Sequence, residues 1–550
     1  MAKIICDPQA VTERYGFVPN ERLLFSAIRL DSFPFVTPLI FEDGGAEVML
    51  ARQQEQGNIV TGGGVDPAKI RFYEPWVTID PRPVADYPAA ANLPALVKEL
   101  VGDRPVDLDP RAPYTHYLKL TGEVDVRVEL PEQRPVVVVE VDQAAVLQKF
   151  AGWRAAGVPV AERLIGEVDH LAGLERELRA DADTRFSALP EAAEALGVDA
   201  ILLSSAPNFS EVTGTVWQPG AAALWAGGSL YVVSEHAVPG VVGAETGQYG
   251  SAAEAITALA AGPRIAFEEQ WEQSQLGLRL TDAGAVLVSA SRALGSWRDE
   301  RDFEDLPFQL IAARASTTAI EQTVDWAHAQ LDAGETFTEN IMYARYLEFL
   351  ERFVSESEIP FTVEPYFTNL HSSQRMLFPG PPTDFPLDAS TTCIQLDAGV
   401  RVVIDGVVVA TSDMARSVLR TPEGREAYGI LTTAVREVII PQLRAGVVCE
   451  DVHAKTLEHL VTVLPRMREI GLLGNEVDFE VEYSKRNVGH LMGKQESFAN
   501  ELRPGYRFVL RAGSYGAAEI PWRYDRHAIG TEDLWYIGAD RTYNLTLREH

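Results

Sequence analysis

The strongest constraint on the fold is a helix-loop-helix plan that occurs twice after Phe308. LDAGETFTENIMYARYLEFL, from Leu331, and LRAGVVCEDVHAKTLEHL, from Leu443, share it. In each, a long helix ends in Leu-x-Ala-Gly, a short loop carries an acid, and an amphipathic helix begins. Ahead of the first copy, FQLIAARASTTAIEQTVDWAHAQL has the apolar spacing of one continuous helix ending at Ala333-Gly334, and a second helix is expected over Thr338 to Val354. Strands are expected between the helices, in STTCIQLDAGV, RVVIDGVVVATSDMARSV, YRFVLRAGSYG and EDLWYI. Two half-domains built on one plan leave a cleft between them as the natural place for a ligand.

Upstream the pattern is α/β. From Glu191 to Glu235 it runs helix, apolar strand, turn, and two strands around Gly227-Gly228, and the alternation continues to about Ala293. The first 150 residues repeat this order loosely, with RLLFSAIRL, then TPLIFEDGGAEVMLA around Gly44-Gly45, helical LPALVKELVG and strand PVDLDP. This predicts a duplicated unit. From Asp142 to Ala182 the chain is charged and helical in pattern, as a connecting helix pair would be. The expected division is therefore α/β over 1–150, a helical connector over 151–182, a second α/β unit over 183–305, and the last domain over 306–550.

With 550 residues, several cores are required. The 46% hydrophobic and 23% charged composition is that of a globular protein. A net charge of -31 repels phosphate backbones and anionic lipids, so neither nucleic acid nor membrane is an expected partner. Cys6, Cys393 and Cys449 are far apart and without CxxC spacing, which argues against a disulfide framework and for a reducing compartment. MAKIICDPQAV lacks the apolar core of a signal peptide, and a cytoplasmic protein is expected.

Four groups in the last 160 residues stand at strand ends or turns: Asp397, Asp413, His490 and Glu532. Carboxylate at the end of a buried strand needs a partner or a metal, because desolvating it alone is costly. Oxygen and imidazole donors suit Mn, Fe, Co or Zn. Taken singly, an Asp at a strand end is more often a turn cap.

The ordered motifs LDAG (396–399), TSDMARSV (411–418), VGHLMG (488–493), LRPGYRFVLRAGSY (502–515) and GTEDLWYI (530–537) resemble those of the M24 family, which includes aminopeptidase P, prolidase, methionine aminopeptidase and creatinase. APNFSEVTG (206–214) resembles the amino-terminal domain of creatinase. The resemblance implies a pita-bread domain preceded by two creatinase-N-like α/β domains, the layout of cytosolic Xaa-Pro aminopeptidases, and a homodimer. In the family, two Asp, one His and two Glu hold a pair of divalent metals. Carried over by motif, Asp397, Asp413, His490 and Glu532 are metal ligands, with His490 and Glu532 also catalytic. The second Glu falls on Arg511, which cannot ligate a metal. Its guanidinium is expected to take the second metal's place and to bind a substrate carboxylate.

Two further departures concern histidines. The family's second one falls on Ser497, and His371 lies several residues too early for the upstream one. The two aspartates are also further apart than in the family, which predicts a longer hairpin turning at Asp405-Gly406. His371, Tyr483, Glu496 and His527 read as packing or surface residues before pocket residues. The expected function is a divergent enzyme acting on a C–N, amide-like bond of a small zwitterionic or cationic substrate, with one divalent metal or none. The alternatives are an Xaa-Pro aminopeptidase or dipeptidase acting on short peptides, and a catalytically inactive binding protein.

Overall fold

Gly44-Gly45 and Gly227-Gly228 each close a two-residue hairpin, with all four residues at positive φ (57°, 90°, 59° and 88°). Positive φ at both central positions gives the turn whose twist matches its strands, and glycine reaches it at no steric cost. The computed structural model of the chain describes residues 2–16, 38–75, 87–179, 181–372, 380–484, 486–494, 497–520 and 527–548. RLLFSAIRL and Glu496 lie outside these described residues.

The two hairpins occupy equivalent places in two seven-stranded sheets. In the first, Ala46–Arg52, Leu39–Asp43, Ala2–Ile5, Val106–Leu108 and Val126–Arg127 are successive neighbours. In the second the same run is Ser229–Ser234, Ala221–Ala226, Ala200–Leu203, Arg264–Phe267 and Val286–Ser289. Both runs have two antiparallel pairings followed by two parallel ones. The loose sequence repeat is thus a repeat of topology.

The sheets differ beyond this run. Val136–Val141, which sequence reading put with the first unit, pairs with Ser229–Ser234 and Gly243–Tyr249 in the second sheet. Beyond it lies one helix, Gln143–Gly166, in place of the expected pair, followed by short 3₁₀ turns at Asp169–Leu171 and Leu174–Glu177. The two sheet units dock reciprocally. Tyr114 and Thr115 donate backbone N–H bonds to the carbonyls of Glu272 and Glu269, while Ser274 and Gln275 donate to those of Ala112 and Pro110.

The last part of the chain begins with α1 (Leu306–Asp332), one continuous helix as its periodicity predicts, and α2 (Glu339–Glu356). A four-stranded sheet follows, built of β1 (Thr362–Ser372), β2 (Cys393–Ile404), β3 (Val407–Thr411) and β4 (Met414–Leu419), with β2 paired to all three others. Asp405 and Gly406 turn the β2–β3 hairpin at φ 52° and 80°, as expected. The second copy of the plan supplies α3 (Pro422–Thr433) and α4 (Cys449–Glu469). Its sheet orders β6 (Ser497–Glu501), β5 (Gly489–Leu491), β7 (Tyr515–Glu519), β8 (Glu532–Ile537) and β9 (Thr542–Asn544). The expected strand YRFVLRAGSYG forms only at its end. Tyr506 to Leu510 makes one isolated bridge, Val448 to Val509, and β7 starts at Tyr515.

A buried ionic network ties this part to the second sheet unit. Glu211, on the helix Ala206–Thr213, pairs with Lys494 just beyond β5, with Arg301 at 2.6 Å and with Arg185 at 3.5 Å. Lys494 also meets Asp305 at 3.2 Å, and Asp183 bridges Arg154 and Arg185, both at 2.8 Å. All of these side chains are buried. No described helix is long and apolar enough to cross a membrane.

Candidate metal centre

Asp413 sits in the link between β3 and β4. The preceding Ser412 hydroxyl is 2.5 Å from that of Ser316 on α1 and accepts the N–H of Val400 at 2.9 Å. Those bonds fix the backbone that presents the carboxylate. Asp397 is on β2, level with Ala415 of β4 and Asn369 of β1, and accepts a hydrogen bond from the Asn369 amide at 3.1 Å.

His490 and Glu532 come from the other sheet. The His490 Nδ1 lies 3.1 Å from the Leu491 carbonyl, and since a carbonyl only accepts, Nδ1 carries the proton. This turns Nε2 toward the carboxylates, 3.8 Å from Asp413 and 3.9 Å from Glu519. Asp413, His490 and Glu532 each offer a donor atom, all within 4.8 Å of one another, and all three are buried. Among the described residues they are the only such group.

Arg511 is not there. Its backbone N–H bonds the Ser514 hydroxyl in a turn, and its exposed guanidinium pairs with Glu300 at 2.9 Å. It lies ahead of β7, so the strand that faces the site begins after it. A carboxylate does stand on that strand: Glu519, the last residue of β7, is directly opposite Glu532 in the β7–β8 register. Like charges directly opposite on a sheet repel. The signal in the sequence was the second Leu-Arg-x-Gly: Leu510-Arg-Ala-Gly, not Leu502-Arg-Pro-Gly, leads into the strand.

Glu532 registers the crowding. Burial, reinforced by Asp413, Glu519 and Asp397, pushes its carboxyl well above the usual carboxylate range. Its Oε1 is buried without a hydrogen-bond partner among the described residues. Asp413, His490 and Glu532, with the charges of Glu519 and Asp397 acting on Glu532, are a donor set for a hard or borderline divalent cation, which would relieve the repulsion. The residues therefore fit a metal centre.

Arg416 and Asp533 were not singled out from the sequence, yet they hold the two sheets in register. The buried Arg416 guanidinium donates to Asp533 at 2.6 Å and to the carbonyls of Glu532 at 2.7 Å and Thr546 at 2.9 Å. Arg436 adds a second bond to Asp533 at 2.6 Å. The β4 strand that follows Asp413 is thereby tied to the strand of Glu532.

Of the remaining histidines, His527 faces the Ile470 carbonyl at 2.9 Å, and His371 is buried on β1 opposite Gln395. Tyr483 is a core residue whose hydroxyl bonds the His453 carbonyl.

Gly489 positions His490 through its backbone. Its φ is 137°, and a Cβ there would lie 2.2 Å from the Ala517 carbonyl oxygen. Gly489→Ala is expected to cost at least about 1–3 kcal/mol and to lower metal affinity with it. Thermal denaturation and metal titration of the purified variant check both; an unchanged melting temperature would mean that the strand tolerates the side chain.

Residues 311–539 match the model of metallopeptidase family M24. No curated protein matches the chain. Among solved structures, the X-prolyl aminopeptidase of Caenorhabditis elegans, described as a cytosolic enzyme with a di-nuclear active site, aligns with a TM-score of 0.59 at 11% identity. That alignment covers 99% of this chain and 85% of the nematode protein. The prolidase of Pyrococcus horikoshii OT3 aligns with a TM-score of 0.50 at 17% identity, over 67% of this chain and 99% of that one. The first extends the likeness of fold across all three parts of the chain, and the family match places the carboxy-terminal domain, with its two half-domains and the carboxylate cluster between them, in metallopeptidase family M24.

Proposed function

We propose that the chain is a metal-dependent hydrolase that cleaves a peptide bond near the free amino end of short peptides, with Xaa-Pro peptides as the substrates to try first. The observation that carries this reading is Glu519 opposite Glu532. With Asp397, Asp413 and His490 it supplies oxygen and nitrogen donors for a pair of divalent ions, where sequence reading expected one ion or none. Bound metal would supply a polarised amide carbonyl and a water acidic enough to attack it.

The chain's own residues do the rest. The Leu491 carbonyl keeps the His490 proton on Nδ1 and so keeps Nε2 available on the cluster side. Arg416, through Asp533, holds the Asp413 and Glu532 strands at a fixed separation. Glu519, half-buried where Glu532 is buried, is the carboxylate placed to take a proton from water and return it to the leaving amine.

The second reading, a C–N hydrolase for a small zwitterionic molecule, draws support from the sequence, where the position of the family's second histidine is taken by Ser497.

The test is to strip the purified chain with a chelator, reload it with Mn or Co, count metal per chain, and assay release of the amino-terminal residue from Ala-Pro and Ala-Pro-Ala beside creatine. About two equivalents, with release from the proline peptides only when loaded, is the expected result. Turnover of creatine alone would favour the second reading. Loading without turnover of any of them would sink both.

A further inference from the structure

A second site lies outside the carboxylate cluster. A cleft of about 410 Å³ opens where the two amino-terminal sheet units meet, lined by Arg52, Glu74, His116, Lys119 and Glu123 from the first and by Gln270 from the second. The volume is in the range of small-molecule sites, which favour such junctions.

His116 is the unusual group in it. Only 4% exposed, it has both ring nitrogens buried and without a hydrogen-bond partner among the described residues. Leaving them so is costly, and the reciprocal backbone bonds of Thr115 and Ser274 hold the helix Tyr114–Thr121 in place, so the imidazole cannot turn away without breaking the junction. Burial, with a smaller contribution from Lys119, lowers its pKa to about 3, so at neutral pH the ring is uncharged and offers one N–H and one lone pair. A ligand amide can meet one of them, its C=O accepting from the ring N–H or its N–H donating to the ring lone pair.

The charges set the ends of the ligand. Arg52 and Glu74 neutralise each other across 2.8 Å. Lys119 is on the last turn of the helix Tyr114–Thr121 and Glu123 in the turn just after it, and neither side chain has a hydrogen bond or ion pair among the described residues. A cation and an anion on one wall of the cleft suit the two charged ends of a zwitterion. A zwitterion also carries no net charge into the field of a protein at -31.

We infer that this cleft binds a short zwitterionic peptide, its carboxylate on Lys119, its ammonium on Glu123 and its amide on His116. The site is separate from the metal centre, and none of its lining residues lies beyond Gln270.

Calorimetric titration of the full-length chain with glycylglycine tests it, with chelator present throughout so that the metal centre turns nothing over. One binding site is expected, weakened at least tenfold by Lys119→Ala and by His116→Phe and unchanged by Asp413→Asn. Lys119 is exposed, so Lys119→Ala decides the matter if His116→Phe does not fold. No binding heat, binding that survives Lys119→Ala, or binding lost in Asp413→Asn would each overturn the assignment, and none of these bears on the proposed hydrolysis.

Discussion

Glu519→Ala is expected to lower hydrolysis of Ala-Pro by more than about 100-fold and to remove about one of two bound metal equivalents, while Arg511→Ala stays within about twofold of the parent chain. Changes to groups that merely orient a metal ligand typically cost about 10–100-fold in affinity or activity, so loss of a ligand itself should exceed that. Glu519 is 3.9 Å from His490 and faces Glu532, and its charge is among those that raise the Glu532 carboxyl. Arg511 reaches only Glu300 on the surface. The two substitutions thus separate two registers of one motif. Steady-state kinetics and metal analysis on both variants decide it; the opposite ranking, with Arg511→Ala inactive and Glu519→Ala intact, would return the arginine to the site.

That pair of residues also marks how far the sequence could be read. The half-domain repeat, the unbroken α1, the hairpin at Asp405-Gly406 and the duplicated α/β unit were legible because each rests on local periodicity or on turn residues with one conformational option. Asp413, His490 and Glu532 were legible because each sits inside a motif of its own, and the structure brings them together. Glu519 was hidden by a local duplication. Leu502-Arg-Pro-Gly and Leu510-Arg-Ala-Gly both look like the entry to the strand, and only pairing with β8 chooses between them. Strand register is set by the partner strand, and a displaced choice relocates every side chain after it. Arg416 and Asp533 were invisible for a related reason: one residue of the pair means little until the fold brings the other, 117 positions away, to 2.6 Å.

The same separation hides the Glu211 network, where Lys494 and Glu211 are 283 positions apart. Glu211→Ala is expected to lower stability by about 3–5 kcal/mol, because it leaves the buried cations Lys494, Arg301 and Arg185 short of a counter-charge. The pH dependence identifies the cause. Burial by itself would raise the Glu211 carboxyl, but Lys494, Arg301 and Arg185 outweigh it and hold the group well below the usual range. A carboxylate depressed in the folded state adds stability that is complete above its unfolded pKa of about 4.3 and is lost as pH falls toward the folded value. The gap in denaturation midpoint between parent and Glu211→Ala should therefore be constant from pH 8 to about pH 5 and narrow below about pH 4.3. A gap that persists undiminished into acid would mean that the variant suffers from a lost shape, a cavity beside Phe150 and the Lys494 stem, and that the charge of Glu211 contributes little to holding the second sheet unit against the loop beyond His490.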